Sequence, residues 1–228
     1  MEDQRNKFFG AKIIFDIISY PLATFKNRLM ISGNNAGDII NKIRTNSDIS
    51  SFYDGFVMMM IGNVVIYLYK RYISPLILHQ NTHGDKKSWV KMVDIFLYCL
   101  IVNPFNNMMI MSQNRRNIMM EMFTRGAFII LLRGFIAGYL HEISSHFLPS
   151  TFNSLLLKYK VSNNIREFLV VLFTIIVTHP LQFINVHRIL GVEPIPLMNT
   201  SLKTAYKGIW ITLFLKFCAL GITKRLKN

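Results

Sequence analysis

The stretch Phe168–Leu190, FLVVLFTIIVTHPLQFINVHRIL, decides the fold class. Its first eleven residues carry no charge and no polar face at the 3.6-residue period of a soluble amphipathic helix. A run of this kind approaches the ~20 residues an α-helix needs to cross a bilayer. Working outward, five further apolar runs can be read at Phe8–Met30, Gly55–Leu78, Val90–Met111, Gly126–Leu140 and Gly208–Ile222. Together they predict an all-α membrane protein with six transmembrane helices, in which tilt and flanking residues absorb the shorter lengths.

Composition agrees with that reading. The chain of 228 residues is 51% hydrophobic and has a formal net charge of +14. Its basic residues sit in pairs at the ends of the apolar runs, as in Lys26/Arg28, Lys70/Arg71, Arg115/Arg116 and Lys224/Arg225. Such pairs anchor a helix among anionic headgroups, whereas a nucleic-acid surface needs them clustered on one accessible face, so no nucleic-acid partner is expected. Cys99 and Cys218 lie inside apolar runs and the six histidines are scattered, which predicts no disulfide, metal or cofactor. Nor do any residues form a catalytic set, so no enzyme is expected. The start MEDQRNK leads into no cleavable apolar segment, so targeting information is expected to be internal.

A repeat runs through the helices. Pro21, Pro104 and Pro180 sit well inside the first, third and fifth runs, 83 and 76 residues apart. Proline there removes a backbone hydrogen bond and kinks the axis. Each is followed, after a polar segment, by a glycine that opens the next run: Gly55 in Tyr53-Asp54-Gly55, Gly126 in Phe123-Thr124-Arg125-Gly126, Gly208 in Tyr206-Lys207-Gly208. Three helix pairs result, over residues 1–78, 79–145 and 146–228.

This arrangement resembles the mitochondrial carrier family, of which the chain looks like a divergent, degenerate member. That family's three repeats each join a kinked odd helix, a surface helix on the matrix side and an even helix, in a pseudo-threefold bundle. Its signature is Pro-x-Asp/Glu-x-x-Lys/Arg-x-Lys/Arg-x-Gln. The first repeat keeps Pro21, Lys26 and Arg28, the second keeps Pro104, Gln113 and Arg125-Gly126, and the third keeps Pro180 and Tyr206-Lys207-Gly208. Ala36–Ile43 resembles a matrix helix; those of the other two repeats are expected to be reduced or absent.

The departures from the pattern carry the functional expectation. The resemblance implies an acid two residues after each proline and a base five after; here stand Ala23, Asn106 and Gln182, then Lys26, Met109 and Asn185. A ring of three ion pairs is thereby reduced to one unpaired Lys26, with Arg28 and Gln113 as further remnants of the gate. The aromatic-acid-base gate on the opposite side lacks its acid as well. Substrate contacts in the family lie two turns into each even helix, at positions that correspond to Gly62/Asn63, Arg133/Gly134 and Leu215/Lys216. Arg133 and Lys216 are the charged members: they form either an anion site or, as is preferred for a degenerate carrier, a remnant in which Arg133 contacts water or lipid phosphate in a residual cavity. Lys12 and Asp16, four apart, are expected to neutralise each other.

A carrier fold without gates points to a scaffold. The resemblance implies a mitochondrial inner-membrane, multi-pass protein, an accessory subunit of a respiratory complex, with cytochrome c oxidase or a supercomplex containing it favoured. The alternative is an active carrier of a small anionic metabolite. The implied partners are membrane lipids and other membrane subunits, for which Met58-Met59-Met60 and Met108-Met109 offer adaptable faces. Cardiolipin is expected where Arg125-Gly126 and Lys207-Gly208 set a positive charge beside free helix amides, and not at Asp54-Gly55.

Overall fold

The computed structural model describes residues 2–31, 36–45, 49–79, 87–192 and 202–227. Among them the chain is helical and holds no strand. The long helices are α1 (Glu2–Ile31), α3 (Phe56–Leu68), α5 (Lys87–Gln113), α8 (Phe135–Lys158), α9 (Asn163–Ile189) and α11 (Ile209–Lys227). Helix α3 continues through a π turn at Tyr69–Ile73 into α4 (Ser74–His79). Shorter helices are α2 (Ala36–Thr45), α6 (Ile118–Arg125), α7 (Ala127–Leu131) and α10 (Leu202–Ala205).

Among the described residues four spans are long and apolar enough to cross a membrane: Ser50–Leu78, Ser88–Gln113, Ala127–Lys158 and Asn163–Ile189. That is the make-up of a multi-pass membrane protein. Ile209–Thr223 is apolar but shorter. Helix α1 has the length, at 30 residues, but is too polar to count by composition. Its polar side chains turn inward: Thr24, Lys26 and Asn27 are all buried. Hydropathy averages over the whole helix and does not register which face the bundle covers.

The six long helices touch in chain order around a closed ring, α1 to α3, α5, α8, α9, α11 and back to α1. The odd members α1, α5 and α9 also touch one another. Where they meet, Met30, Ile110, Met111, Phe183, Val186 and Ile189 form one buried apolar cluster, which closes that end of the bundle. Met109 packs against this cluster, and Met58 and Met59 line a small pocket between α1, α3 and α5. Those methionines therefore face inward rather than offering a free docking face.

Pro21, Pro104 and Pro180 all lie inside their helices, as does Pro149 in α8. Gly55, Gly126 and Gly208 each have positive φ and stand directly before α3, α7 and α11. The run expected to end at Leu140 continues to Lys158. In its polar segment the hydroxyls of Ser150, Thr151 and Ser154 are satisfied within the helix, donating to carbonyls three or four residues back. Phe152 stacks on Phe173 of α9, with ring centroids 4.2 Å apart.

The short helices of the second and third pairs are smaller than α2 of the first, which has ten residues. The second pair keeps an eight-residue helix, α6, capped by Asn117, whose side chain accepts from the Met120 amide. The third keeps the four residues of α10.

Candidate functional site: a basic cavity bounded by four helices

A cavity of about 750 Å³ lies between α1, α8, α9 and α11. Its charged lining residues are Lys12, Asp16, Lys26 and Lys216. Lys12 is accounted for. Its ammonium pairs with Asp16 and donates to Asn63 Oδ1 at 2.7 Å, while Asn63 Nδ2 donates back to Asp16 at 3.0 Å. This three-membered network ties α1 to α3 and neutralises itself, as the i,i+4 spacing predicts.

Lys26 and Lys216 are different. Among the described residues no carboxylate lies within 4.0 Å of either, and Lys26 is only 8% exposed. Gln182, where the resemblance implies an acid facing Lys26, lines the same cavity, but no hydrogen bond joins the two. The stem of Lys26 packs on Gly208, where an added Cβ would meet Lys26 Cγ at 3.0 Å. His179 stands nearby with Nε2 3.0 Å from the Lys207 carbonyl oxygen, and its Nδ1 is buried without a partner.

Beside Lys26, buried amides and an arginine tie α1 to α5. Asn27 Nδ2 donates to Gln113 Oε1 at 2.6 Å, and Gln113 Nε2 donates to Thr24 Oγ1 at 3.2 Å. The positions nine residues after the three prolines are Met30, Gln113 and Ile189, and all are buried. Met30 and Ile189 are apolar, and Gln113 bridges α1 and α5. Arg28 Nε donates to the Gln113 carbonyl at 2.8 Å, and Arg28 pairs with Asp54 at 3.1 Å. Arg115 approaches the same carboxylate at 3.4 Å. Asp54 therefore already has two arginines, so its charge at the start of α3 is compensated.

The structure does not bring Arg133 and Lys216 together. Leu215 and Lys216 line the cavity; Arg133 does not, and its guanidinium stands 3.5 Å from Glu121 of α6. Gly62 is buried against Phe105, and Asn63 is engaged by Lys12 and Asp16. Arg133 and Gly134 fall in a break between α7 and α8. Gly134 has φ +69°, and an added Cβ there would meet Asn185 Oδ1 at 2.3 Å. The carbonyls freed by the break are recovered from α5: Asn107 Nδ2 donates to those of Ile130, Leu131 and Arg133, and Asn103 Nδ2 to those of Leu131 and Arg133. Irregular backbone is tolerated at membrane depth only when buried and satisfied in this way.

Sequence reasoning missed Thr24, Asn27, Asn103, Asn107 and Glu121. A signal existed for one pair. Asn103 and Asn107 stand four apart within an apolar run, hence on one helix face, where an amide needs a partner. At the expected lipid sites, the Gly126 amide is not free, because it donates to the Met122 carbonyl at 3.1 Å, whereas Gly208 stands before α11 with Lys207 partly buried beside it. The Arg125 side chain lies outside the described residues.

No family model matches the chain, and no characterised protein matches it in sequence.

Proposed function

We propose that the protein is a non-transporting, carrier-like bundle that serves as an accessory subunit of a membrane complex. The observation that carries this reading is the buried amide bridge and apolar cluster where α1, α5 and α9 meet, with the Arg28–Asp54 pair beside them and no acid at Ala23, Asn106 or Gln182. Alternating access needs two states of similar free energy, each held by contacts the other lacks. Opening this end would strand Gln113 and Asn27, buried polar groups that cost about 1–3 kcal/mol each when left unsatisfied. Near the other end the Lys12–Asp16–Asn63 network fixes α1 to α3. The six-membered ring of helices supports the pseudo-threefold carrier arrangement. The assembly is taken from the resemblance alone: a mitochondrial inner-membrane respiratory complex, with cytochrome c oxidase or its supercomplex first.

The test is comigration. The tagged protein, solubilised from its native membrane in mild detergent, should run with a large complex at fixed stoichiometry. A monomer under those conditions would overturn the proposal.

A second reading, an active carrier of small anions, draws on the unpaired Lys26 and Lys216 in the cavity. Saturable exchange of an anionic metabolite by the purified protein in proteoliposomes would establish it.

A further inference from the structure

We propose that the cavity holds a single-chain anionic amphiphile, a long-chain fatty-acid carboxylate, with its headgroup at Lys26 and Lys216 and its chain along α9 and α11. The charge argument comes first. Two ammonium groups share one cavity, and among the described residues neither has a carboxylate within 4.0 Å, although the charge of Glu142 acts on Lys216 from farther away. Unpaired charge away from water is strongly unfavourable, and an anion at the buried Lys26 relieves it, while Lys216, exposed on the same cavity, adds a second positive charge. Asp16 does not serve, because Lys12 and Asn63 already hold it.

The walls select the rest of the ligand. Val170, Val171 and Ile175 of α9 face the cavity, as do Leu215, Ala219 and Ile222 of α11. The four threonines that line it look polar in sequence but offer few free hydroxyls. Thr174 donates to the Val170 carbonyl at 2.7 Å and Thr178 to that of Thr174 at 2.8 Å. Thr212 donates to Gly208 at 3.3 Å and Thr223 to Ala219 at 2.8 Å. With those protons spent on their own helix, the polar side chains left on the lining besides the charged residues are Ser145, Gln182, His141 and His179, and the wall along α9 and α11 away from the lysines is mostly apolar. That wall suits a hydrocarbon chain.

Length and volume agree. From Thr212, one turn past the Lys26–Gly208 contact, to Thr223 at the far end of the lining is eleven residues, or ~16 Å of helix rise. An acyl chain covers half of the ~30 Å hydrocarbon core, ~15 Å. The 750 Å³ cavity also lies in the range of ligand pockets.

The experiment is native mass spectrometry of the delipidated full chain, titrated with palmitate, methyl palmitate and citrate in parallel. One palmitate per chain is expected, with methyl palmitate binding at least about 10-fold more weakly and citrate failing to displace palmitate. Lys26→Met and Lys216→Gln should each lower palmitate affinity about 10-fold. Lys216 is exposed at the cavity, so its variant keeps the test open should the buried Lys26 variant fold poorly. Equal binding of the methyl ester, displacement by citrate, or unchanged palmitate binding in Lys216→Gln would each overturn the proposal. None of these results bears on the accessory-subunit reading, which comigration decides.

Discussion

Replacing Gln113 by leucine tests whether a buried amide bridge holds the closed end. Gln113 is 0% exposed and Asn27 is 6% exposed. The substitution removes the bond accepted from Asn27 at 2.6 Å and the one donated to Thr24 at 3.2 Å. Hydrogen bonds between membrane helices average about 0.6 kcal/mol each. Stranding the Asn27 amide in an apolar surround adds about 1–3 kcal/mol. The sum is about 3 kcal/mol, which for a chain of this length lowers the melting temperature by roughly 6–12 °C. Asn27→Leu/Gln113→Leu removes both partners with similar volume, and should recover much of the loss. A coupling of about 1–2 kcal/mol is therefore expected in the double-mutant cycle. Scanning fluorimetry of the four proteins in nanodiscs reads it. A Gln113→Leu protein within about 2 °C of the parent, or strictly additive shifts, would refute the bridge and reopen a mobile gate.

Three further outcomes follow from the same geometry. Lys26→Met removes a buried, unpaired charge while keeping the stem that packs on Gly208, so the delipidated protein should melt higher, and a lower melting temperature would reveal a partner for the ammonium. Gly134→Ala places a Cβ against Asn185 at positive φ and should destabilise by at least about 1–3 kcal/mol, with partial rescue by Asn185→Ala in the same melting assay. Arg125→Glu and Lys207→Glu should each reduce anionic-lipid retention in native mass spectrometry, whereas unchanged retention in both would remove the lipid sites proposed at Gly126 and Gly208.

The helices were legible in the sequence because membrane burial writes itself into composition. An uncharged run such as Phe168–Thr178 has few other places to go, and glycines 55, 126 and 208 mark helix starts through a local backbone requirement. Lys12 and Asp16 were legible for the same reason, since an i,i+4 pair on one helix is a local matter. The absence of acids at Ala23, Asn106 and Gln182 was equally plain, and it carries the proposal that the gate is lost.

What tertiary structure alone decided is which polar groups meet. The family resemblance implied a shared site for Arg133 and Lys216. The break at Leu132–Gly134 instead turned Arg133 toward Glu121, and Lys26, from another repeat, took the place in the cavity. That break depends on Asn103 and Asn107 of α5 receiving the freed carbonyls, an arrangement made between helices and invisible to any one of them. Likewise α1 is too polar to read as a span by itself, and its place in the ring rests on neighbours that cover Thr24, Lys26 and Asn27. Periodicity and composition report what one helix requires of its surroundings. Which helix supplies the partner is settled only when the bundle packs.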